Sequence, residues 1–184
     1  RKELIMIKRI PSVNFQVRER DDSIEGDNPF KWETKSTDDY FANKKVILFS
    51  LPGAFTPTCS TFQLPDFNKL YDDFKKYGIE EIYCISVNDS FVMNAWAKHH
   101  DIGKVKVIPD GNAEFTRKMG MLVDKENLGF GQRSWRYALI IENGNILENF
   151  VESGFTDNAE DDPYEVSSPQ NILEYLSKNN QMTG

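Results

Sequence analysis

The stretch Lys45-Val46-Ile47-Leu48-Phe49-Ser50-Leu51-Pro52-Gly53-Ala54-Phe55-Thr56-Pro57-Thr58-Cys59-Ser60 carries the chain from one kind of backbone into another. Its first six residues are an almost unbroken β-branched and aromatic run, the pattern of a strand buried on both faces. From Thr61 onward Leu64, Phe67, Leu70, Tyr71 and Phe74 recur at spacings of three and four, which predicts an amphipathic helix ending before Gly78. Cys59 therefore sits where a strand turns into a helix.

A thiol attacks only as its anion, and an ordinary cysteine, with a pKa of about 8.5, is mostly protonated at neutral pH. The helix start after Pro57 offers unpaired N–H groups and the positive end of the dipole, both of which favour negative charge on a sulfur in the first turn. Thr56 can bring its hydroxyl near that sulfur, and it can equally serve as a plain helix cap. Pro52 and Pro57 restrict the loop and shield it from bulk water. An Arg from elsewhere would complete such a site. Disulfide exchange calls for Cys-x-x-Cys, and Cys59-Ser60-Thr61-Phe62 has no second thiol.

Outward from this segment, residues 11–44 mix turn formers with the alternating Val13, Phe15 and Val17, which suggest one short strand in an N-terminal hairpin or loop region. A second buried strand is read at 81–87, a helix with the face Phe91, Val92, Ala95, Trp96 and His99 after it, a short strand at 105–108 and a helix at 112–119. The runs 137–141 and 146–150 flank Asn143-Gly144, the pair a tight type I′ hairpin turn needs. Ser168 and Pro169 open a closing helix through Ile172, Leu173, Tyr175 and Leu176. This order is that of an α/β thioredoxin-like fold, with a central mixed sheet flanked by helices and an N-terminal hairpin extension. In such sheets ligands bind beyond the carboxyl ends of the strands, where Cys59 is placed. The 184 residues are read as a single domain, with residues 1–7 flexible or vector-derived.

The motif Pro-x-x-x-Thr-x-x-Cys in Pro52-Gly53-Ala54-Phe55-Thr56-Pro57-Thr58-Cys59 closely resembles the peroxiredoxin-5-like, or plant type II, branch of the peroxiredoxins. The resemblance continues through Ile82-Tyr83-Cys84-Ile85-Ser86-Val87-Asn88-Asp89, Ala95-Trp96, Pro109-Asp110-Gly111 and Arg133-Ser134-Trp135-Arg136-Tyr137-Ala138, and covers roughly residues 8–178. It implies a thiol peroxidase in which Cys59 attacks a hydroperoxide and becomes a sulfenic acid. By the same resemblance Thr56 orients the peroxide, Arg136 stabilises the thiolate and the leaving oxygen, and Pro52 shields the site. The amides of Ala54 and Cys59 are further candidate donors to the peroxide. Where the family commonly reads His-Leu-Pro-Gly, this chain has Gln63-Leu64-Pro65-Asp66, so that Gln63 cannot carry the charge of the His. Arg133 is a second cation beside Arg136, there to orient it or simply at the surface.

The family resets its sulfenic acid with a second thiol, and this chain has no cysteine near its C-terminus. Cys84 lies in an apolar strand, either as a packing residue or as a resolving thiol. Glutathione with glutaredoxin is the reductant that the resemblance implies, with thioredoxin as the second choice, and the family pairs through its active-site face as a homodimer.

The chemistry needs no bound cofactor, whether metal, haem or flavin. Adjacent His99 and His100 point to different sides of a helix and read as a surface pair. The run Asp157-Asn158-Ala159-Glu160-Asp161-Asp162 lacks the spacing of a calcium loop and reads as solvated. A net charge of −7 disfavours nucleic acid and anionic lipid. No apolar run approaches the roughly 18 residues of a membrane span. Two cysteines point to a reducing compartment, the cytoplasm or an organelle matrix if a targeting peptide has been removed. A non-enzymatic sensor signalling through oxidised Cys59 is the rival to an enzyme.

Overall fold

The computed structural model describes residues 5–179, with Cys59 and Ser60 described by their backbone alone. Strands β1 (Asn14–Arg20) and β2 (Phe30–Ser36) pair antiparallel, and Ser36 and Asp39 form a capping box on the short helix α1 (Thr37–Phe41). Strand β3 (Lys45–Ser50) then runs into the loop and a helix whose turn Cys59–Gln63 is π-helical, followed by α2 (Leu64–Lys69) and α3 (Tyr71–Lys75). Next come β4 (Glu81–Ser86), α4 (Ser90–His99), β5 (Lys106–Pro109) and α5 (Glu114–Lys118). A short ribbon of β6 (Leu122–Asp124) and β7 (Gln132–Ser134) precedes β8 (Tyr137–Glu142), β9 (Asn145–Val151) and α6 (Pro169–Asn179).

The main sheet has the order β5-β4-β3-β8-β9, with β3, β4 and β5 parallel and β8 antiparallel to both its neighbours. This is the expected thioredoxin-like mixed sheet. Because side chains alternate across a strand, the buried runs feed two cores. Ile47, Phe49, Ile82, Cys84, Ala138 and Ile140 meet Leu64, Phe67, Phe74, Met93, Trp96, Ile172 and Leu176. On the other face Val46, Leu48, Tyr83, Ile85, Leu139 and Ile141 meet Phe15, Val17, Tyr40, Phe41 and Phe115. The Phe49 and Phe67 rings stack with centroids 4.1 Å apart, clamping the helix that carries Cys59 to the strand before it. Burying each such side chain stabilises the fold by about 1.5–3 kcal/mol.

The structure departs from the sequence reading in several places. The helix read as continuous to Gly78 is broken at Leu70, although Leu64, Phe67 and Phe74 still share one buried face. Its π-helical turn falls ahead of Pro65, which has no N–H for the carbonyl of Thr61 and whose ring crowds it. On α4 the buried side chains are Ser90, Met93 and Trp96, whereas Phe91, Ala95 and His99 lie on the outer side. There Phe91 meets Trp32 edge to face at 5.6 Å. The Asn143-Gly144 turn is as expected, with φ of 47° and 78°. Residues 1–4 lie outside the described residues, while Ile5 is buried in the second core, so packing begins ahead of residue 8.

Candidate active site

Register alone brings the pieces together. Ser50 at the end of β3 pairs with Tyr137 at the start of β8, so the loop 51–58 and Arg136 emerge at the same edge of the sheet. The loop is held from several sides. The Thr56 hydroxyl donates to the Gly53 carbonyl at 2.7 Å, which leaves its oxygen lone pairs to accept from a ligand. The Ala54 N–H donates to Asn88 Oδ1 at 3.0 Å, and Ser86 Oγ donates to the same oxygen at 2.7 Å. Pro52 is buried, and its carbonyl accepts from Arg133 Nη1 at 3.0 Å. Arg133 also donates through Nε to Phe130 O at 3.1 Å and stacks on the Phe130 ring. A Cβ at residue 53 would run into the Arg133 guanidinium, so glycine is what lets that side chain reach beneath the loop. Phe55, at φ 65°, projects outward and packs on His99 at 5.9 Å.

Arg136 is almost fully buried, at 1% exposure. Its Nη1 donates to Gln63 Oε1, and its Nη2 donates to both carboxylate oxygens of Asp162, at 2.8 and 2.9 Å. The Tyr164 ring lies under the guanidinium with its centroid 5.7 Å from Cζ. Gln63 ends the turn that Cys59 opens, so this contact fixes the cation at the helix carrying the cysteine. Gln63 is itself fully buried, with Nε2 3.5 Å from both Ser167 O and Ser167 Oγ. Tyr164 donates to Asp66 Oδ2 at 3.3 Å. Burial, reinforced by the charge of Asp66, pushes the Tyr164 hydroxyl above its ordinary range, so it remains a neutral donor there.

Of the residues singled out by sequence, Pro52, Thr56 and Arg136 converge on the edge where the Cys59 backbone lies. Arg133 is partly buried and supports Pro52, donating to its carbonyl. Ala54 is corrected as a donor to substrate, because its N–H is spent on Asn88. The acidic run is solvated as read, with Asp157, Asn158, Glu160, Asp161 and Asp162 all exposed, and it is also tied down: Asp157 accepts from the Asp124 N–H, Asn158 accepts from the Asn127 N–H, and Asp162 holds Arg136. Cys84 is fully buried, flanked in register by Phe49 and Val107. His99 and His100 have rings 5.0 Å apart, and burial with the neighbouring His99 holds His100 below its ordinary pKa. Among the described residues no three His, Cys, Asp or Glu side chains converge as metal ligands would. Sequence reasoning read Asp162 only as part of a solvated acidic run and passed over Tyr164; the one signal for their role was that a buried guanidinium must find a carboxylate.

The Redoxin family model matches residues 29–165. A peroxiredoxin of Rhizobium etli is 65% identical over 173 residues, covering 94% of this chain and 97% of that one. Peroxiredoxin-2C of Arabidopsis thaliana is 43% identical over 145 residues, 78% of this chain and 85% of that one. The crystal structure of the Plasmodium falciparum antioxidant protein, a 1-Cys peroxiredoxin, aligns with a TM-score of 0.86 at 42% identity, over 93% of this chain and 98% of the other. Agreement over nearly the full length of both partners, in sequence and in backbone, makes this chain a member of the peroxiredoxin family, the thiol-dependent peroxidases of antioxidant defence.

Proposed function

We propose that the protein reduces hydrogen peroxide and alkyl hydroperoxides through Cys59 and is recycled by glutathione with glutaredoxin, thioredoxin being the second choice. The observation that carries this reading is the buried Arg136 guanidinium bonded to Gln63, on the turn that Cys59 opens. The thiolate attacks one peroxide oxygen, the O–O bond breaks, and the departing oxygen takes a proton to leave as water or alcohol. Cys59 is left as a sulfenic acid. Arg136 opposes the charge that develops on the leaving oxygen, Thr56 accepts from the peroxide O–H, and Pro52 keeps bulk water from the sulfur. A first thiol then displaces water to give a mixed disulfide, and a second thiol releases the Cys59 thiol.

An external reductant is supported by the setting of Cys84, which lies between two strands in the helix-covered core. The structural relative described as a 1-Cys peroxiredoxin agrees with it. We accordingly expect Cys84→Ser to retain glutathione-linked turnover while losing about 1–3 kcal/mol of stability, as a hydroxyl replaces a thiol in an apolar core. Turnover and a denaturant melt on the same sample check this, and loss of recycling in a folded variant would make Cys84 the resolving thiol. A homodimer joined at the active-site face is supported by Phe55 and Phe62, both about half exposed on the loop and the turn beside Cys59. A reducing compartment, the cytoplasm or an organelle matrix, suits a chain with only two cysteines, too few for a disulfide framework.

The deciding assay follows peroxide consumption with each reductant in turn. Sustained turnover with glutathione and glutaredoxin, exceeding that with thioredoxin, is the expected result. A single oxidation of Cys59 that neither reductant reverses would replace the enzyme with a sensor.

A further inference from the structure

Arg136 immediately precedes β8, yet two of its three named polar contacts come from a loop that joins β9 to α6. We propose that Asp162 is a positioning residue for Arg136, its carboxylate holding the guanidinium against the turn that Cys59 opens. The proposal rests on the peroxidase reading of Cys59 and Arg136.

Three observations carry it. The Arg136 side chain is 1% exposed and that of Asp162 is 42% exposed, so a cation has been taken out of water while its counter-ion stays at the rim. A surface pair contributes little to stability, but a buried cation without its carboxylate is costly and will seek another place. Second, the contacts divide the guanidinium: both Asp162 oxygens take Nη2, and Gln63 takes Nη1, so the plane of the group is set from two directions. The Tyr164 ring supports it from beneath. Third, the loop is anchored on both sides of Asp162. Ahead of it Asp157 and Asn158 bind the backbone of residues 124 and 127. Beyond it the buried Glu152 carboxylate accepts from Glu165 N, Ser167 N and Ser167 Oγ at 2.9, 2.9 and 2.6 Å. Asp162 is thus presented by a fixed strap; of the charged and titratable groups, Asp162 and Tyr164 meet the guanidinium, and Asp66 of α2 and Glu152 stand beside Tyr164.

The opposite role is also chemically coherent, since a carboxylate on the guanidinium could draw its charge away from the thiolate. The two differ in sign. Asp162→Ala, Asp162→Glu and, as a control of equal charge change, Asp161→Asn are compared with the unsubstituted protein in two measurements. One is the stopped-flow rate of Cys59 oxidation by hydrogen peroxide; the other is the pH dependence of Cys59 alkylation by iodoacetamide, which involves no peroxide. Asp162→Ala is expected to slow oxidation by roughly tenfold to a hundredfold and to move the alkylation midpoint to higher pH, because a guanidinium displaced by even an ångström serves the site poorly. Asp162→Glu should recover part of both, and Asp161→Asn should change neither. Faster oxidation with a lower midpoint in Asp162→Ala would overturn the proposal in favour of a restraining counter-ion. Slower oxidation with an unmoved midpoint, tracking a loss of thermal stability, would overturn it in favour of a merely structural role. If the unsubstituted protein is not oxidised by peroxide the peroxidase reading fails, and the alkylation midpoints still decide the role of Asp162.

Discussion

Replacing Cys59 with serine is expected to abolish peroxide turnover, lowering it on the order of 10⁴-fold or more, the scale on which losing a nucleophile is felt. Serine keeps nearly the same shape, so the loss is one of chemistry. Its hydroxyl ionises far above the thiol's ordinary value of about 8.5, and no helix start, hydroxyl or guanidinium can lower it enough to supply an anion at neutral pH. Nor can an oxygen in that place become a sulfenic acid and return by thiol exchange. Peroxide consumption checks the first consequence, and dimedone labelling, which marks sulfenic acids, checks the second; both should fall to background. The chain has two cysteines, so turnover that survived in Cys59→Ser would pass to Cys84, from within a core that buries it completely. Labelling that persisted would sink the assignment of Cys59.

Local rules carried the fold far and the site only part of the way. The run 45–50 is buried on both faces because it lies at the centre of the sheet, and its period and length are both visible in the residues themselves. The hairpin at Asn143 was equally legible, since only a few residues accept two successive positive φ values. By contrast β2 (Phe30–Ser36) is half exposed and carries no apolar alternation, and the ribbon of β6 and β7 is too short to declare a period. The outer face of α4 misled for a physical reason: Phe91 is apolar at a helical spacing, yet what it packs on is Trp32 of the distant hairpin. The same limit hid the surroundings of Arg136. Gln63, Arg136 and Asp162 belong to three separate parts of the chain, and no periodicity links them. Electrostatics requires a counter-charge for a buried guanidinium but does not choose one among 29 acidic residues. The departure from the family pattern at residue 63 was plain in the sequence. Its consequence was not, because a neutral amide acts there by accepting from the cation, a role decided by burial and direction.

Arg136→Ala is expected to reduce the rate of Cys59 oxidation by about 10²–10³-fold, the usual cost of removing one preorganised donor from a developing negative charge. Two effects combine. The leaving oxygen loses its guanidinium in the transition state, and the thiolate loses a nearby positive charge in the ground state, which raises its pKa toward that of free cysteine. The second effect has a definite sign: the deprotonated fraction at neutral pH falls, so raising the pH through about 8.5 should recover the thiolate share of the loss and leave the transition-state share untouched. Stopped-flow oxidation measured across that range separates the two. Arg136→Lys is informative beside it. An ammonium restores the charge but, as a compact point donor, cannot meet Gln63 and both oxygens of Asp162 in one plane, so its thiolate pKa should return further than its rate. Stability must be measured in parallel, because Arg136→Ala leaves the fully buried Gln63 without the donor it now accepts from, at a cost of about 1–3 kcal/mol. A folded Arg136→Ala that oxidised as fast as the unsubstituted protein, with an unchanged alkylation midpoint, would mean that the guanidinium is there to hold Asp162 and Gln63 together and that the thiolate draws its stability from the helix start and the loop alone.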